Sequence, residues 1–155
     1  MADVFARPVP VRIWRGPFAL PVPGPATSAF GRRSIVNGEL RGRHYGVDLR
    51  ADRSAPVRAP NAGEVVLAAN HYFAGRVVVL DHGDGLFSLY AHLSRIAVKA
   101  GRRVARGDLL GAAGATGRVT GPHLHWGLRV RGTSVDPLSL VAALDGLDEP
   151  APDVR

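Results

Sequence analysis

Residues 114–128 read GATGRVTGPHLHWGL, and this stretch predicts the fold around it. The segment HLHWGLRV is rich in apolar and aromatic residues, which favours a β-strand, and the preceding TGRVTGP is turn sequence. Alternate residues of a strand point to one side, so His123 and His125 are expected to share a face. The two imidazoles could bind a metal, or one could bind it while the other handles protons. Two ordinary histidines on a half-exposed strand are the alternative.

Length and composition indicate one globular domain. The chain has 155 residues, which suits a single core, and its mean hydropathy is close to zero at +0.03. Its 19 glycines and 12 prolines favour short strands and tight turns over long helices. No apolar run approaches the roughly 20 residues needed to cross a bilayer. The first residues lack the basic-then-apolar pattern of a signal peptide.

Charge and cysteine content narrow the possible partners. The formal charge is +7, and Lys99 is the only lysine among 20 basic residues. Such a charge favours a polyanion: nucleic acid, a membrane surface or an anionic cell wall. The basic residues are scattered, whereas a nucleic-acid surface needs them clustered. The chain has no cysteine, which excludes disulfides and thiolate zinc sites.

A second motif lies in HYGVDLRA, residues 44–51, where His44, Gly46 and Asp48 alternate. Positions four apart in a strand lie on one face, so the imidazole and the carboxylate are expected to point the same way. Gly46 is expected to clear space between them for an ion or a substrate. A histidine and a carboxylate placed like this suit zinc, while a surface histidine and a turn aspartate are the alternative.

Further strands and turns are predicted from apolar runs bounded by Gly, Asp and Asn. A closing VDPLSLVAAL is expected to end in a short helix, and residues 31–43 contain an Asn-Gly turn suited to a surface loop or loose hairpin. The predicted strands are residues 63–69, 75–81 and 86–93, followed by short strands around a tight turn within 97–112.

Alternation assigns faces within these strands. Ser88, Tyr90 and His92 fall on the more polar face of the third strand, which is where a residue lining a cleft should lie. Trp126 alternates to the face opposite His125 and is expected in the core.

The chain divides into three predicted parts. Residues 1–17 form a Pro-rich lead-in, residues 18–141 the domain, and residues 142–155 an acidic, Pro-containing tail that is expected to fray. No internal repeat and no second domain are predicted.

Taken together, these motifs resemble the lysostaphin-type, or LytM-like, zinc metallopeptidases, which cut peptidoglycan peptides. The resemblance implies a mainly antiparallel β domain of the LytM-like, duplicated hybrid motif type, with zinc on the floor of a groove walled by loops. It covers roughly residues 18–140 and rests on TSAFGRR, HYGVDLRA, APNAGEVV, VVLDHGDGLFSLYAHLS, VARGDLLG, GATGRVTGPHLHWGL and VDPLSL.

By this resemblance His44, Asp48 and His125 match the family's metal ligands, implying one Zn²⁺ per chain. His92 and His123 match its two catalytic histidines. Zinc lowers the pKa of water and polarises a carbonyl. His123 is then expected to act as the general base, with His92 positioning the water or stabilising the oxyanion, or the two roles are reversed. None of the ligand losses that mark the non-catalytic amidase regulators is present.

Five further side chains are weighed as site residues. His71 and His82 lie beside strands and are expected to be structural or solvated. Tyr45 and Tyr90 could face the groove but are expected to pack. Arg118, in the loop before HLH, could meet a substrate carboxylate, with a solvated arginine as the alternative.

The predicted function is a zinc-dependent endopeptidase acting on peptidoglycan stem peptides or cross-links. The alternative is a non-hydrolytic module of the same fold that binds the wall or activates an amidase; the complete five-residue set argues against it. A carrier domain of the lipoyl or biotinyl kind is suggested only by the GDLLG turn. Such a domain modifies a lysine on a tight turn, and Lys99 lies outside one.

The expected partners are peptidoglycan peptides, together with a regulatory protein or a missing N-terminal region. Neither nucleic acid nor a transmembrane segment is expected. A wall substrate requires export, so the predicted location is the cell envelope, periplasmic or secreted, with the export signal in a longer precursor.

Overall fold

The computed structural model of the protein describes residues 2–146, so the predicted tail lies outside the described residues from position 147 onward. The mainly β prediction is confirmed. In this part of the chain no helix is long and apolar enough to cross a membrane. The elements, in chain order, are a 3₁₀ turn Ala2–Phe5, β1 Ala26–Ser28, β2 Arg33–Val36, β3 Glu39–Arg43, β4 Val47–Leu49, β5 Pro56–Arg58, β6 Gly63–His71, β7 Gly75–Asp81, β8 Leu86–Ile96, β9 Arg103–Val104, β10 Leu109–Ala113, β11 Leu124–Val130, β12 Thr133–Val135 and α1 Pro137–Leu144.

The strands pair antiparallel around one main sheet. Its order is β1-β4-β11-β8-β7-β6-β9, with β12 beside β11, while β10 pairs with both β5 and β8. Strands β2 and β3 form a separate hairpin. In the main sheet His125 is opposite Asp48 of β4 on one side and opposite Ala91 of β8 on the other. The sheet register thus brings β4, β11 and β8 together at the residues that the sequence singled out.

The core lies on both faces of the central strand β7. Its run from Val77 to Leu80 has no solvent exposure, because β6 and β8 flank it and both faces are covered. One face packs into a cluster around Tyr90 and Trp126, both fully buried, as predicted for Trp126. On the other face Phe87 meets the ring of Phe5 edge-on, with centroids 5.0 Å apart.

Local sequence signals account for the clearest elements. Asn37 and Gly38 both have positive φ, 53° and 80°, as the tight turn between β2 and β3 requires. The predicted closing helix is present as α1. Asp136 caps it by accepting a hydrogen bond from the Leu138 amide at 3.1 Å, and Pro137 follows the cap.

The lead-in packs along the domain. The Val9 amide donates to the Asp81 carboxylate at 2.7 Å. Asn61, which is buried, accepts from the Arg15 amide at 3.1 Å and donates to the Arg15 carbonyl at 2.8 Å. These bonds fix residues 9–15 against the ends of β6 and β7.

Candidate metal centre

One open cleft of about 610 Å³ contains all five of the residues predicted for the site. Its floor comes from β4, β8 and β11, and its walls come from the loops 72–74 and 114–122. The full lining is His44, Asp48, Phe73, Ala74, Leu89, Ala91, His92, Arg118, Val119, Thr120, His123 and His125.

Asp48 and His125 meet through the sheet itself. They are paired residues of β4 and β11, and cross-strand partners have neighbouring side chains on one face. The His125 Nδ1 lies 2.9 Å from the Asp48 Oδ1. The backbone register alone therefore brings an imidazole nitrogen beside a carboxylate oxygen.

His44 reaches the same point from a loop, which corrects the strand predicted over residues 44–51. Strand β3 ends at Arg43 and β4 begins at Val47, because the chain must pass here from the hairpin into the main sheet. The His44 Nε2 nevertheless lies 3.2 Å from the Asp48 Oδ1 and 3.2 Å from the His125 Nδ1. Its Nδ1 donates to the Ala29 carbonyl at 3.0 Å, which leaves Nε2 with its lone pair toward the cleft.

The predicted role of Gly46 also changes. The space that a side chain would take at Gly46 is already filled: an added Cβ would lie 2.8 Å from His125 Cε1 and 2.6 Å from the Trp126 carbonyl oxygen. The glycine therefore lets the loop pass close against the His125 ring. It does not leave an opening for a substrate.

The three donor atoms fit a tetrahedral metal ion. The His44 Nε2, Asp48 Oδ1 and His125 Nδ1 are 2.9 to 3.2 Å apart. Ligand atoms at about 2.0–2.1 Å from zinc in a tetrahedron are about 3.3 Å from each other. Each of the three side chains is 21% exposed, so the site is open on one side. Two imidazoles and one carboxylate with an open fourth position are a catalytic type of zinc site.

His123 lies just before β11 and is held by the turn that precedes it. Its backbone forms an isolated bridge with Gly114, and its Nδ1 donates to the Gly121 carbonyl at 3.0 Å. The Nε2 lies 3.7 Å from the Asp48 Oδ1 and is free of any closer partner among the described residues. One nitrogen therefore holds the ring while the other faces the donor cluster.

His92 enters the cleft through a β-bulge, for a different reason from the one predicted. Val78 pairs with Tyr90 and Arg76 pairs with Leu93, so Ala91 and His92 together face only Val77. His92 has a φ of +62°, which is rare outside glycine and breaks the alternation of β8. The predicted polar face is wrong as a reason, because Ser88 and Tyr90 on that face are buried in the core.

Thr116 holds His92 in this position, although the sequence analysis did not single it out. Its carbonyl accepts from the His92 Nδ1 at 2.9 Å. Its hydroxyl donates to the Leu93 carbonyl at 2.6 Å and accepts from the Arg76 amide at 3.0 Å. Gly75 and Thr116 touch so closely that a Cβ at Gly75 would lie 2.4 Å from Thr116. The only feature of the sequence that could have pointed to Thr116 is its position between Gly114 and Gly117.

The cleft holds a mixed electrostatic environment. Burial works to raise the pKa of Asp48, but the hydrogen bond to His125 and the charges of the neighbouring histidines lower it further than burial raises it. Burial lowers the pKa of His92, and its histidine neighbours add to that effect, against the hydrogen bond to Thr116. Both shifts favour an ionised carboxylate beside a neutral imidazole at neutral pH.

The remaining candidates separate into core and surface. Tyr90 and His82 are fully buried, and burial raises the pKa of Tyr90. Tyr45 is 63% exposed, so its predicted packing role is wrong. Arg118 lies on the cleft wall, where its amide donates to the Phe73 carbonyl at 3.1 Å. His71 ends β6 and lies outside the cleft lining.

Comparison with known protein families matches residues 42–137 to peptidase family M23. Among curated relatives, the chain is 46% identical over 95 residues to the peptidoglycan DD-endopeptidase ShyA of Vibrio cholerae, covering 61% of this chain and 22% of ShyA. It is 41% identical over 114 residues to ShyB of the same organism, covering 72% of this chain and 26% of ShyB. The chain therefore spans about a quarter of the length of these relatives.

Solved structures agree on the fold. A zinc-containing peptidase from Vibrio cholerae aligns with a TM-score of 0.75 and 35% identity over 88% of this chain and 41% of that one. The catalytic domain of lysostaphin from Staphylococcus simulans aligns with a TM-score of 0.68 and 32% identity over 77% of this chain and 92% of that one.

Proposed function

The chain belongs to peptidase family M23, and from this membership we propose that it is a zinc-dependent endopeptidase that hydrolyses peptide bonds of peptidoglycan. The observation that carries the proposal is the convergence of the His44, Asp48 and His125 donor atoms within 3.2 Å of one another beside two further histidines. Its relatives ShyA and ShyB are named peptidoglycan DD-endopeptidases, which supports a cross-link as the substrate.

We assign the metal to His44, Asp48 and His125, with one Zn²⁺ per chain. When bound, zinc would polarise the scissile carbonyl and lower the pKa of water toward neutrality. The carbonyl of Ala29 orients His44 through its Nδ1, so that the ligand nitrogen is already directed at the site. The carboxylate of Asp48 stays ionised at neutral pH because of its histidine neighbours.

His123 is proposed as the general base. Its Nδ1 hydrogen is committed to the Gly121 carbonyl, so Nε2 carries the lone pair that accepts a proton from water. Once protonated, the ring would lie 3.7 Å from the Asp48 carboxylate, which stabilises the imidazolium until it passes the proton to the leaving amine.

His92 is proposed to orient water or to stabilise the developing oxyanion. Its Nδ1 donates to Thr116, so its Nε2 faces the cleft, and its ring centroid lies 5.2 Å from that of His123. The bulge and the Thr116 hydrogen bond hold this ring before substrate arrives, which is the preorganisation that electrostatic catalysis needs. The reverse assignment, with His92 as the general base and His123 orienting water or stabilising the oxyanion, is the alternative within this proposal.

The proposal extends to the protein's surroundings. A peptidoglycan substrate implies a location in the cell envelope, periplasmic or secreted. A charge of +7 would favour binding to an anionic wall, and this electrostatic attraction should weaken as the salt concentration rises. A regulatory protein or a further N-terminal region is part of the proposal, because the relatives are several times longer than this chain. Residues 18–141 are proposed to be the catalytic unit.

The test is mass analysis of the fragments that the protein releases from purified peptidoglycan, with and without a zinc chelator. We expect chelator-sensitive release, with fragment masses that identify the cleaved bond. His125→Ala should lose both bound zinc and release, with activity lower by roughly 10⁴-fold or more, because only two ligands remain. Fragment release by the chelated protein at the full rate would contradict the proposal, as would a zinc-loaded protein that releases nothing.

A further inference from the structure

A second cleft, of about 490 Å³, adjoins the metal centre and shares His44 with it. The described residues that line this cleft include no carboxylate. It presents two guanidinium groups together with three hydroxyl-bearing residues. These are Arg43, Arg129, Tyr45, Thr133 and Ser134.

Arg129 is the central group of this cleft. It lies on β11 two alternations beyond His125, so the two side chains share a face and are roughly 13 Å apart along the strand. Between them Gly127 carries no side chain, and it lines a smaller cleft, of about 200 Å³, together with His125 and Arg129. A groove can therefore run from the metal centre to the Arg129 guanidinium.

The charge on Arg129 has no counter-ion among residues 2–146. Its Nε is buried and makes no hydrogen bond there, and its Cζ lies 4.7 Å from the Phe5 ring centroid. A cation that is partly desolvated and stacked on a ring, without a carboxylate, is costly unless an anion approaches its open side. Phe5 limits the motion of the guanidinium and so presents it in one orientation.

Arg43 adds a second positive group to this cleft. It ends β3 directly before His44, and it is exposed with no ion-pair partner in the described chain. The hydroxyls of Tyr45, Thr133 and Ser134 supply neutral donors in the same cleft. Guanidinium forks and hydroxyl donors, with no acidic residue, match the planar acceptor geometry of a carboxylate.

We propose that this cleft is a carboxylate-binding subsite, which holds a free carboxylate of the substrate peptide. The inference deepens the proposed function and rests on it, since it makes the enzyme selective for acidic stem peptides whose side carboxylates are not amidated. An extended peptide advances about 3.3–3.6 Å per residue, so Arg129 reaches a carboxylate within roughly four residues of the cleaved bond.

The experiment compares two synthetic cross-linked stem peptides that differ only in whether their side carboxylates are free or amidated. Zinc-loaded wild-type protein should cleave the free form with roughly tenfold higher kcat/KM, mostly through KM, as one charge-assisted contact allows. Arg129→Gln and Arg43→Gln should each lower the rate on the free peptide toward that on the amidated one. In both variants the ratio of the two rates should therefore approach one.

Two controls keep the result interpretable. Arg103→Gln removes the same charge from an exposed site beside Glu64, 3.6 Å away, and should leave the preference intact. Arg43 is exposed, so its variant tests the subsite even if Arg129→Gln is poorly folded. Equal wild-type rates on both peptides, or variants that slow both peptides alike, would overturn the subsite.

Binding separates this inference from the proposed function. Fluorescence anisotropy of the labelled peptides is measured on zinc-loaded His123→Ala protein, with and without Arg129→Gln. Cleavage by the wild type with no carboxylate preference keeps the peptidase and overturns the subsite. Carboxylate-selective binding that Arg129→Gln abolishes, without cleavage by the wild type, keeps the subsite and overturns the peptidase. Neither cleavage nor selective binding overturns both.

Discussion

Strand β8 serves two polar clusters that are built in opposite ways. In the core, His82 donates from Nδ1 to the Ala62 carbonyl at 2.7 Å, and its Nε2 lies 2.7 Å from the Ser88 hydroxyl. The Ser88 hydroxyl in turn lies 2.8 Å from the Tyr90 hydroxyl. Every polar atom named here has a protein partner, so this cluster is complete as folded.

In the cleft cluster, three histidines are held by a hydrogen bond from the ring nitrogen that points away from the cleft. His44, His92 and His123 each donate Nδ1–H to a backbone carbonyl, as His82 does. Their Nε2 atoms, however, face the cleft, whereas the Nε2 of His82 lies beside the Ser88 hydroxyl. A core histidine closes its hydrogen bonds within the protein, whereas a site histidine keeps one nitrogen for a ligand. This difference separates His82 from the other three.

The largest effect on this comparison is expected from His92→Ala. Zinc content should stay at the wild-type level, because His92 lies outside the proposed ligand set, while kcat should fall by roughly 10³-fold. Metal analysis and cleavage of a cross-linked peptide measure the two quantities on one sample. His71→Ala removes an imidazole outside the cleft and should leave the rate unchanged. Full activity in His92→Ala would remove His92 from the reaction.

The sequence predicted what depends on local pattern. The run GRVVVLD forms β7 at the predicted residues, the Asn37-Gly38 turn makes a hairpin, and the closing segment ends in the helix α1. These outcomes need only a few neighbouring residues. The five site residues also line one cleft, as the resemblance implied, and the register of β4 against β11 accounts for Asp48 and His125 among them.

What the sequence could not predict depends on contacts distant along the chain. The bulge at His92 arises where β7 loses step with β8 and the Ala74 carbonyl accepts the His92 amide at 2.8 Å. The face of β8 that was predicted to be polar and exposed is buried, because the Ser88 hydroxyl pairs with His82 in the core. Strict alternation contains neither contact, so it placed His92 in the cleft for the wrong reason.

The core side of the comparison can be tested by pH. Complete burial lowers the pKa of His82 from 6.5 to about 4. Between these values the unfolded chain takes up a proton that the folded protein refuses, so stability falls as pH drops from 6.5 toward 4. The loss reaches about 3 kcal/mol, at 1.36 kcal/mol per pKa unit. Urea unfolding of chelator-treated protein at several pH values measures it.

The matched variant for this measurement is His82→Gln, which cannot titrate. It should be less stable at pH 7, but its loss of stability on acidification should be smaller than that of the wild type by up to the same amount. The difference between the two proteins isolates His82, because every other ionisable group is the same in both. Parallel pH curves would show that His82 does not stay neutral in the core.

The smallest expected effect tests whether the cleft histidines depend on the hydrogen bonds from their Nδ1 atoms to backbone carbonyls. Thr116→Val keeps the shape of the side chain but loses the hydroxyl bonds to Leu93 and Arg76, so the loop that carries the His92 acceptor should loosen. We expect kcat to fall roughly tenfold with zinc retained, which is a typical cost of losing a residue that orients a side chain of a metal site by hydrogen bonds. Thr116→Ser keeps the hydroxyl and should restore most of the rate. Imidazole ¹⁵N spectra should show a mixture of His92 tautomers in Thr116→Val and a single one in the wild type. A single His92 tautomer with an unchanged rate in Thr116→Val would mean that the bulge alone positions the ring, and that the Nδ1 hydrogen bonds matter less in the cleft than in the core.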